Sequence, residues 1–220
     1  MNVDIKENIT FAPYTTYKIG GPARYFVEAK SEREICDAVS WARKQKITYF
    51  ILGGGSNILV SDGGFDGLVI KIKTMSYNRR ANVIEAEAGV DLPELVTVAV
   101  ESGLTGIEWA SGIPGTFGGA IYGNAGAFGG EMKDCITSVK FLDDKDKIKV
   151  FHNGACNFSY RGSIFKQNPQ YVILSAVIEL EQGNKKELKD FSKRTIEYRA
   201  ARHPLEYGSC GSVFKAVDVA

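Results

Sequence analysis

The order of segments predicts an α+β fold, in which helices and strands follow one another irregularly rather than in strict βαβα alternation. Three observations carry that reading. Helical patterning occurs at 31–46, 91–103 and 184–202. Short apolar or alternating runs at 48–52, 58–60, 68–72, 83–88, 136–142, 147–151 and 171–180 read as strands, and they fall around the helices without a fixed repeat. The composition, 44% hydrophobic and 24% charged in 220 residues, is that of a globular protein able to bury a sizeable core in one to two domains.

The elements are justified in order. Ser31 and Glu34 form a capping box, and Ile35, Val39 and Ala42 keep one apolar face of the helix that follows. Asp62-Gly63-Gly64 separates the strands at 58–60 and 68–72. The alternation of 83–88 gives a half-buried strand, and Tyr77 to Asn82 before it is polar and unpatterned, so a domain boundary is placed near 75–80. Asp91-Leu92-Pro93-Glu94 opens the second helix, with proline tolerated in its first turn, and Gly103 closes it. Asp143 to Asp146 turns the chain between two strands. The third helix starts near Asn184, carries Leu188, Phe191, Thr195 and Tyr198 on one face, and stops at Pro204.

Charge and cysteine exclude several function classes. A net charge of +1 argues against a nucleic-acid partner held by bulk charge. No apolar run reaches the length of a membrane helix, and the N-terminus lacks the basic start and apolar stretch of a secretory signal, so no membrane insertion and a cytoplasmic location are expected. Cys36, Cys135, Cys156 and Cys210 form no CxxC pair, and neither they nor His152 and His203 have metal-ligand spacing. Idle thiols and no metal are expected.

Glycine is the unusual component. Eight of the 24 glycines fall within 112–130, and the remaining 16 in 201 residues are ordinary usage. That segment, with Ile113, Phe117, Ile121 and Phe128, is too apolar for a solvated linker, and fits a glycine-lined ligand wall better than a flexible hinge. A second cluster, Gly53-Gly54-Gly55-Ser56-Asn57, follows an apolar strand. Three consecutive glycines are more than a tight turn needs, so a nest of N–H groups for phosphate oxygens is favoured over a plain turn. Neither cluster is a G-x-G-x-x-G fingerprint or a P-loop.

Two further segments place chemistry-bearing residues among small or aromatic ones: Tyr160-Arg161-Gly162-Ser163-Ile164-Phe165-Lys166 and Gly208-Ser209-Cys210-Gly211-Ser212-Val213-Phe214-Lys215. By itself Arg161 reads first as a surface cation. Taken together with Thr16 to Ala23, Leu52 to Asn57, Ser111 to Thr116 and Asn124 to Gly129, in this order from about residue 10 to 215, they give a chain that resembles the UDP-N-acetylenolpyruvoylglucosamine reductase family. Pro204 to Tyr207 looks like that family's shorter, second type.

The resemblance implies a two-lobed FAD-binding domain of the vanillyl-alcohol oxidase type, with FAD between the lobes. It divides the chain into a first lobe at 1–76, a second at 77–204 and, at 205–220, the beginning of a substrate-binding domain. Gly53, Gly54, Gly55, Ser56 and Asn57 would hold the diphosphate, and Ser111, Gly112, Ile113, Pro114, Gly115, Gly118, Gly119 and Ala120 would line the other side. The implied reaction is NADPH-dependent, FAD-mediated reduction of UDP-N-acetylglucosamine enolpyruvate to UDP-N-acetylmuramate for peptidoglycan. Hydride enters at C3 of the double bond, negative charge spreads to the carboxylate, and a proton arrives at C2.

Arg161 matches the family arginine that steadies this enolate, a task suited to its bidentate fork. Ser212 matches the proton donor. Tyr160, Asn124 and Lys215 are expected at the substrate, and the local excess of four positive charges over 184–215 suits an anionic UDP-sugar or simply a solvated helix face. The family continues past the serine loop into a domain that carries a catalytic glutamate, for which this sequence shows no counterpart. An FAD-binding remnant without full turnover is therefore the alternative expectation. Oligomeric state is not legible.

Overall fold

The structure is a computed structural model that describes residues 3–203 and 206–212. Two main sheets organise it. The first half of the chain runs β1 (Lys6–Thr10), β2 (Pro22–Ala29), α1 (Glu32–Lys44), β3 (Tyr49–Leu52) and β4 (Phe65–Ile72). These strands form one sheet in the order β1-β2-β4-β3, in which β4 is parallel to both β2 and β3 while β1 runs antiparallel at the edge. The central position of β4 explains its unbroken apolar run: Leu68, Val69 and Ile70 are all buried, as a parallel strand covered on both faces requires.

The chain continues through β5 (Tyr77–Arg80), β6 (Val83–Glu87), α2 (Leu92–Glu101), β7 (Leu104–Thr105), α3 (Phe117–Tyr122), β8 (Gly126–Ala127), β9 (Gly130–Glu131), β10 (Ile136–Leu142), β11 (Ile148–His152), α4 (Ile164–Gln167), β12 (Val172–Glu179), β13 (Glu181–Gln182) and α5 (Lys185–Arg202). The second sheet is antiparallel throughout, in the order β11-β10-β12-β6-β5. One cluster of buried side chains crosses both sheets, from Val27 and Ile70 to Ile84 and Ala176, and takes in α1, α2 and α3. A smaller cluster, Phe11, Ala23, Phe26, Leu52 and Val69, lies on the other side of the first sheet.

Polar contacts join the two halves as well. Arg43 at the end of α1 donates to the carbonyls of Asp143 and Gln170 and to the Asp146 carboxylate, and Glu32 pairs with Lys140 at 2.6 Å. Ile35, Ala38, Val39 and Ala42 bury the inner face of α1, and truncating a fully buried isoleucine such as Ile35 costs about 2–5 kcal/mol.

Several elements differ from expectation. Residues 58–60 are irregular: Ile58 and Val60 lean on the smaller core without joining a sheet. The polar stretch 77–80 is the fully exposed edge strand β5, paired with β6. β1 and β2 were not anticipated. The cap of α1 is modified: Ser31 Oγ accepts from Glu34 N, but Glu34 reaches back to the N–H of Lys30 instead of Ser31. On α5, Leu188 and Thr195 are buried whereas Tyr198 is half exposed.

Candidate functional site

The loop after β3 and the loop before α3 lie against each other, and the glycines are what permit it. A Cβ on Gly53 would come 2.5 Å from Thr116 Oγ1, and one on Gly54 would come 2.6 Å from Gly115 Cα. From the opposite side, a Cβ on Gly115 would meet Ser56 Oγ at 2.7 Å, where φ is +118° and only glycine is at ease. Ser56 Oγ donates to Pro114 O at 3.0 Å across the gap. Gly55 lies buried under the first loop, and its carbonyl accepts from Thr16 N. Each of the three consecutive glycines thus has a steric reason within the protein.

The donor set of this loop is distinctive. Among the described residues, the N–H groups of Gly54, Gly55, Ser56 and Asn57 donate to no acceptor. Successive main-chain N–H groups of this kind form an anion-binding nest. Behind them the Lys71 ammonium donates to Gly53 O, and burial together with nearby Lys73 lowers its affinity for a proton. The chemistry of this donor set fits the diphosphate of a dinucleotide.

The facing segment divides into exposed and structural residues. Gly112, Pro114 and Gly119 are exposed, and Ile113 and Gly115 are partly so. Ser111 is buried, with its hydroxyl 2.7 Å from Glu108 O and 2.8 Å from Ser192 Oγ of α5. Gly118 packs on Ala88, where a Cβ would come within 2.7 Å, and Ala120 is buried on the inner face of α3. The side chains of these last residues serve packing, so any contact they make with a ligand is through main chain. Arg199 of α5 donates to Gly112 O at 3.0 Å and ties the segment down from outside.

At the other end of α3, a helix about 9 Å long, the chain gathers the second group of expected residues. Asn124 is fully buried. Its amide donates to Glu131 Oε2 at 2.8 Å and to Ser159 O at 3.0 Å, and its oxygen accepts from Lys133 N at 3.0 Å. It braces the loops around Arg161 and leaves no polar atom facing solvent, which differs from the expected direct substrate contact. Arg161 has φ +55° and donates to Gly126 O at 2.7 Å, and its guanidinium lies 5.0 Å from the Tyr160 ring centroid. Lys166 holds the Arg161 carbonyl at 3.0 Å. A hydrogen bond from Lys133 depresses the Glu131 carboxyl, helped by Asn124 and by the charge of Arg161, so a carboxylate stands near this arginine.

The tail is placed beside the first loop. Ser209 N donates to Thr16 O at 3.2 Å, and a hydrogen bond between Cys210 and Tyr17 pushes the Tyr17 phenol up. Ser212 is exposed, and no hydrogen bond among the described residues joins it to Arg161. Lys215 lies outside the described residues. Sequence reasoning missed Lys71, whose signal was a lysine interrupting the apolar end of a strand, and it missed the bracing role of Glu131. Among the described residues no group of three or more His, Cys, Asp or Glu is placed to hold a metal.

Comparison with known proteins agrees with the donor set. A family model described as an FAD binding domain matches residues 23–151. A UDP-N-acetylenolpyruvoylglucosamine reductase of Caldanaerobacter subterraneus is 43% identical over 203 residues, 92% of this chain and 67% of that protein. One of Lactobacillus acidophilus is 40% identical over 216 residues, 97% of this chain and 72% of that protein. Among solved structures, the UDP-N-acetylenolpyruvylglucosamine reductase of Thermus caldophilus superposes with a TM-score of 0.82 at 29% identity, covering 98% of this chain and 75% of that one. Cholesterol oxidase of Brevibacterium sterolicum shares the fold alone, with a TM-score of 0.63 at 13% identity over 82% of this chain and 38% of that one.

Proposed function

The chain belongs to the UDP-N-acetylenolpyruvoylglucosamine reductase family, and we propose that it reduces the enolpyruvyl ether of UDP-N-acetylglucosamine to UDP-N-acetylmuramate at the expense of NADPH, in peptidoglycan precursor synthesis. Its fold is the FAD-binding domain of the vanillyl-alcohol oxidase type, and FAD is its cofactor. The observation that carries the reading is the level of identity over nearly the whole chain, joined to the apposed glycine loops with their unspent N–H groups.

The residues divide the work as follows. The N–H groups of Gly54 to Asn57 bind the diphosphate, with Gly53 and Gly115 shaping the gap. Main chain of Gly112, Ile113, Pro114, Gly115 and Gly119 lines the opposite wall, and Ser111, Gly118 and Ala120 hold that wall in place. FAD held there would supply the hydride chemistry, with NADPH as the source of the two electrons and the substrate double bond as their destination. Arg161 takes the substrate carboxylate and steadies the negative charge that spreads onto it as C3 gains hydride, an effect worth several kcal/mol when the charge is fixed in advance. Ser212 gives the proton that completes C2. Tyr160 and Lys215 help hold the UDP-sugar, and Asn124 acts by fixing the Arg161 loop.

Residues 1–76 and 77–204 form the two lobes, which the change from one sheet to the other between Ile72 and Tyr77 supports, and 205–220 begin a further substrate-binding unit. We place the protein in the cytoplasm; no helix among the described residues is long and apolar enough to cross a membrane.

A second reading, an FAD-binding unit without full turnover, is favoured by the exposure of Ser212, which no hydrogen bond among the described residues joins to Arg161. Stopped-flow mixing separates the two. Flavin reduced by NADPH and reoxidised on addition of the enolpyruvyl UDP-sugar is the expected result. Flavin that stays reduced would establish the second reading instead.

A further inference from the structure

Lys71 stands at the carboxyl end of β4, in register with Leu52 of β3 and Glu28 of β2. The loop 53–57 leaves β3 one residue beyond Leu52, so the lysine lies under the point where that loop begins. In open sheets with parallel strands, this end is where ligands gather.

Its surroundings are unusual for a lysine. The side chain is half buried, and no carboxylate lies within ion-pair distance among the described residues. Asp91 and Glu28 act on it only from further away, and Lys73 opposes it. Among the described residues, the one hydrogen-bond partner of its ammonium is the carbonyl of Gly53. Taking an ammonium out of water without a counter-charge is costly, so such a group is expected to meet an anion in the working protein. The neighbouring donors point the same way. A trans peptide sets its N–H opposite its carbonyl, so fixing Gly53 O turns the Gly54 N–H away from Lys71. Withdrawing electrons from that carbonyl also strengthens the N–H as a donor.

We propose that Lys71 is a positioning residue for the diphosphate of FAD, orienting and polarising the Gly53–Gly54 peptide and giving the loop a positive backing. This rests on the reading that the loop 53–57 binds the FAD diphosphate. The arrangement carries a particular consequence: the lysine works against the stability of the flavin-free protein and for the flavin-bound one.

The test uses the full chain stripped of flavin, with Lys71→Met and Lys71→Arg beside the wild type. FAD is titrated by flavin fluorescence, UDP is titrated separately by calorimetry, and the melting temperature of each flavin-free protein is recorded. Lys71→Met should weaken FAD about ten- to hundredfold, the range of a hydrogen bond to a charged group. Lys71→Arg should recover most of that loss. UDP binding should not change, and flavin-free Lys71→Met should melt at or above the wild type. FAD affinity within twofold of wild type would overturn the proposal. So would a fall in flavin-free melting temperature that parallels the loss of affinity, because the lysine would then be structural, and so would a loss confined to UDP. A wild-type chain that does not bind FAD would overturn the cofactor reading itself, and this inference with it.

Discussion

Gly54 and Gly115 touch back to back: a single methyl on the first would come 2.6 Å from the Cα of the second. Residues 61 positions apart in the chain are thereby fixed as two walls of one gap, one wall leaving the first sheet and the other leading into α3. Ser56 and Pro114 close the same gap with a hydrogen bond of 3.0 Å.

The packing of these walls predicts a non-additive pair. Gly53→Ala drives a methyl toward Thr116 Oγ1, and should lower the melting temperature and weaken FAD. Thr116→Ala removes the side-chain cap of α3, in which Thr116 Oγ1 accepts from Gly119 N, and should cost about 1 kcal/mol. The double variant should be less destabilised than the sum, because the second change removes the oxygen the first one strikes. Urea denaturation of all four proteins measures this. Strict additivity would mean that the two loops do not touch.

Arg161 and the glycine loops sit at opposite ends of α3 and should fail differently. Arg161→Lys should cut turnover on the enolpyruvyl UDP-sugar by about 100- to 1000-fold, the scale for loss of one preorganised charge contact. FAD affinity should stay within twofold. Steady-state kinetics with a parallel FAD titration makes the comparison, and equal losses in both would remove Arg161 from the substrate.

Thiol chemistry should divide the cysteines in two. Cys135 and Cys156 are buried, with burial pushing their thiols up to about 12 and about 11, whereas Cys36 and Cys210 are partly exposed. A thiolate-selective reagent at pH 8 should label only Cys36 and Cys210 in the native protein and all four after denaturation. Mass spectrometry of the labelled chain locates the adducts, and rapid native labelling of Cys135 would contradict the packing under β10.

Asp143 gives a pH dependence with a definite sign. Its carboxylate accepts the N–H groups of Lys145 and Lys147, each at 2.8 Å, and the bond from Lys147 foremost holds its proton affinity below the ordinary carboxylate value. A depressed value in the folded state means stability that is present at neutral pH and is lost as pH falls through the carboxylate range. Asp143→Asn should therefore melt below wild type at pH 7, with the two curves drawing together by pH 3. A gap that widens toward low pH would contradict the assignment.

Much of the fold is legible in the sequence where one physical signal dominates. The Ser31 cap, the apolar face of α1 and the continuous run of β4 are of this kind. β1 escaped because an edge strand with one half-buried residue has no alternation to read. Ile58 and Val60 are apolar for packing, without pairing, and a three-residue run does not distinguish the two. The glycine clusters stand out by their local count, but the close approach behind it does not: a Cβ on Gly53 would strike Thr116 Oγ1 and one on Gly54 would strike Gly115 Cα, contacts between loops far apart in the chain that no local pattern displays. Lys71 leaves only a local mark, a lysine within the apolar end of β4, and the loop that makes it matter follows the neighbouring strand β3.

The most direct measurement is a titration of the flavin-free chain with FAD, repeated on Gly54→Val, in which the bulkier side chain wedges the two walls apart. The account predicts saturation at one FAD per chain for the wild type and a loss of at least tenfold in affinity for the variant, about 1.4 kcal/mol or more. A colourless wild type that ignores FAD, or a variant that binds it equally well, would contradict it.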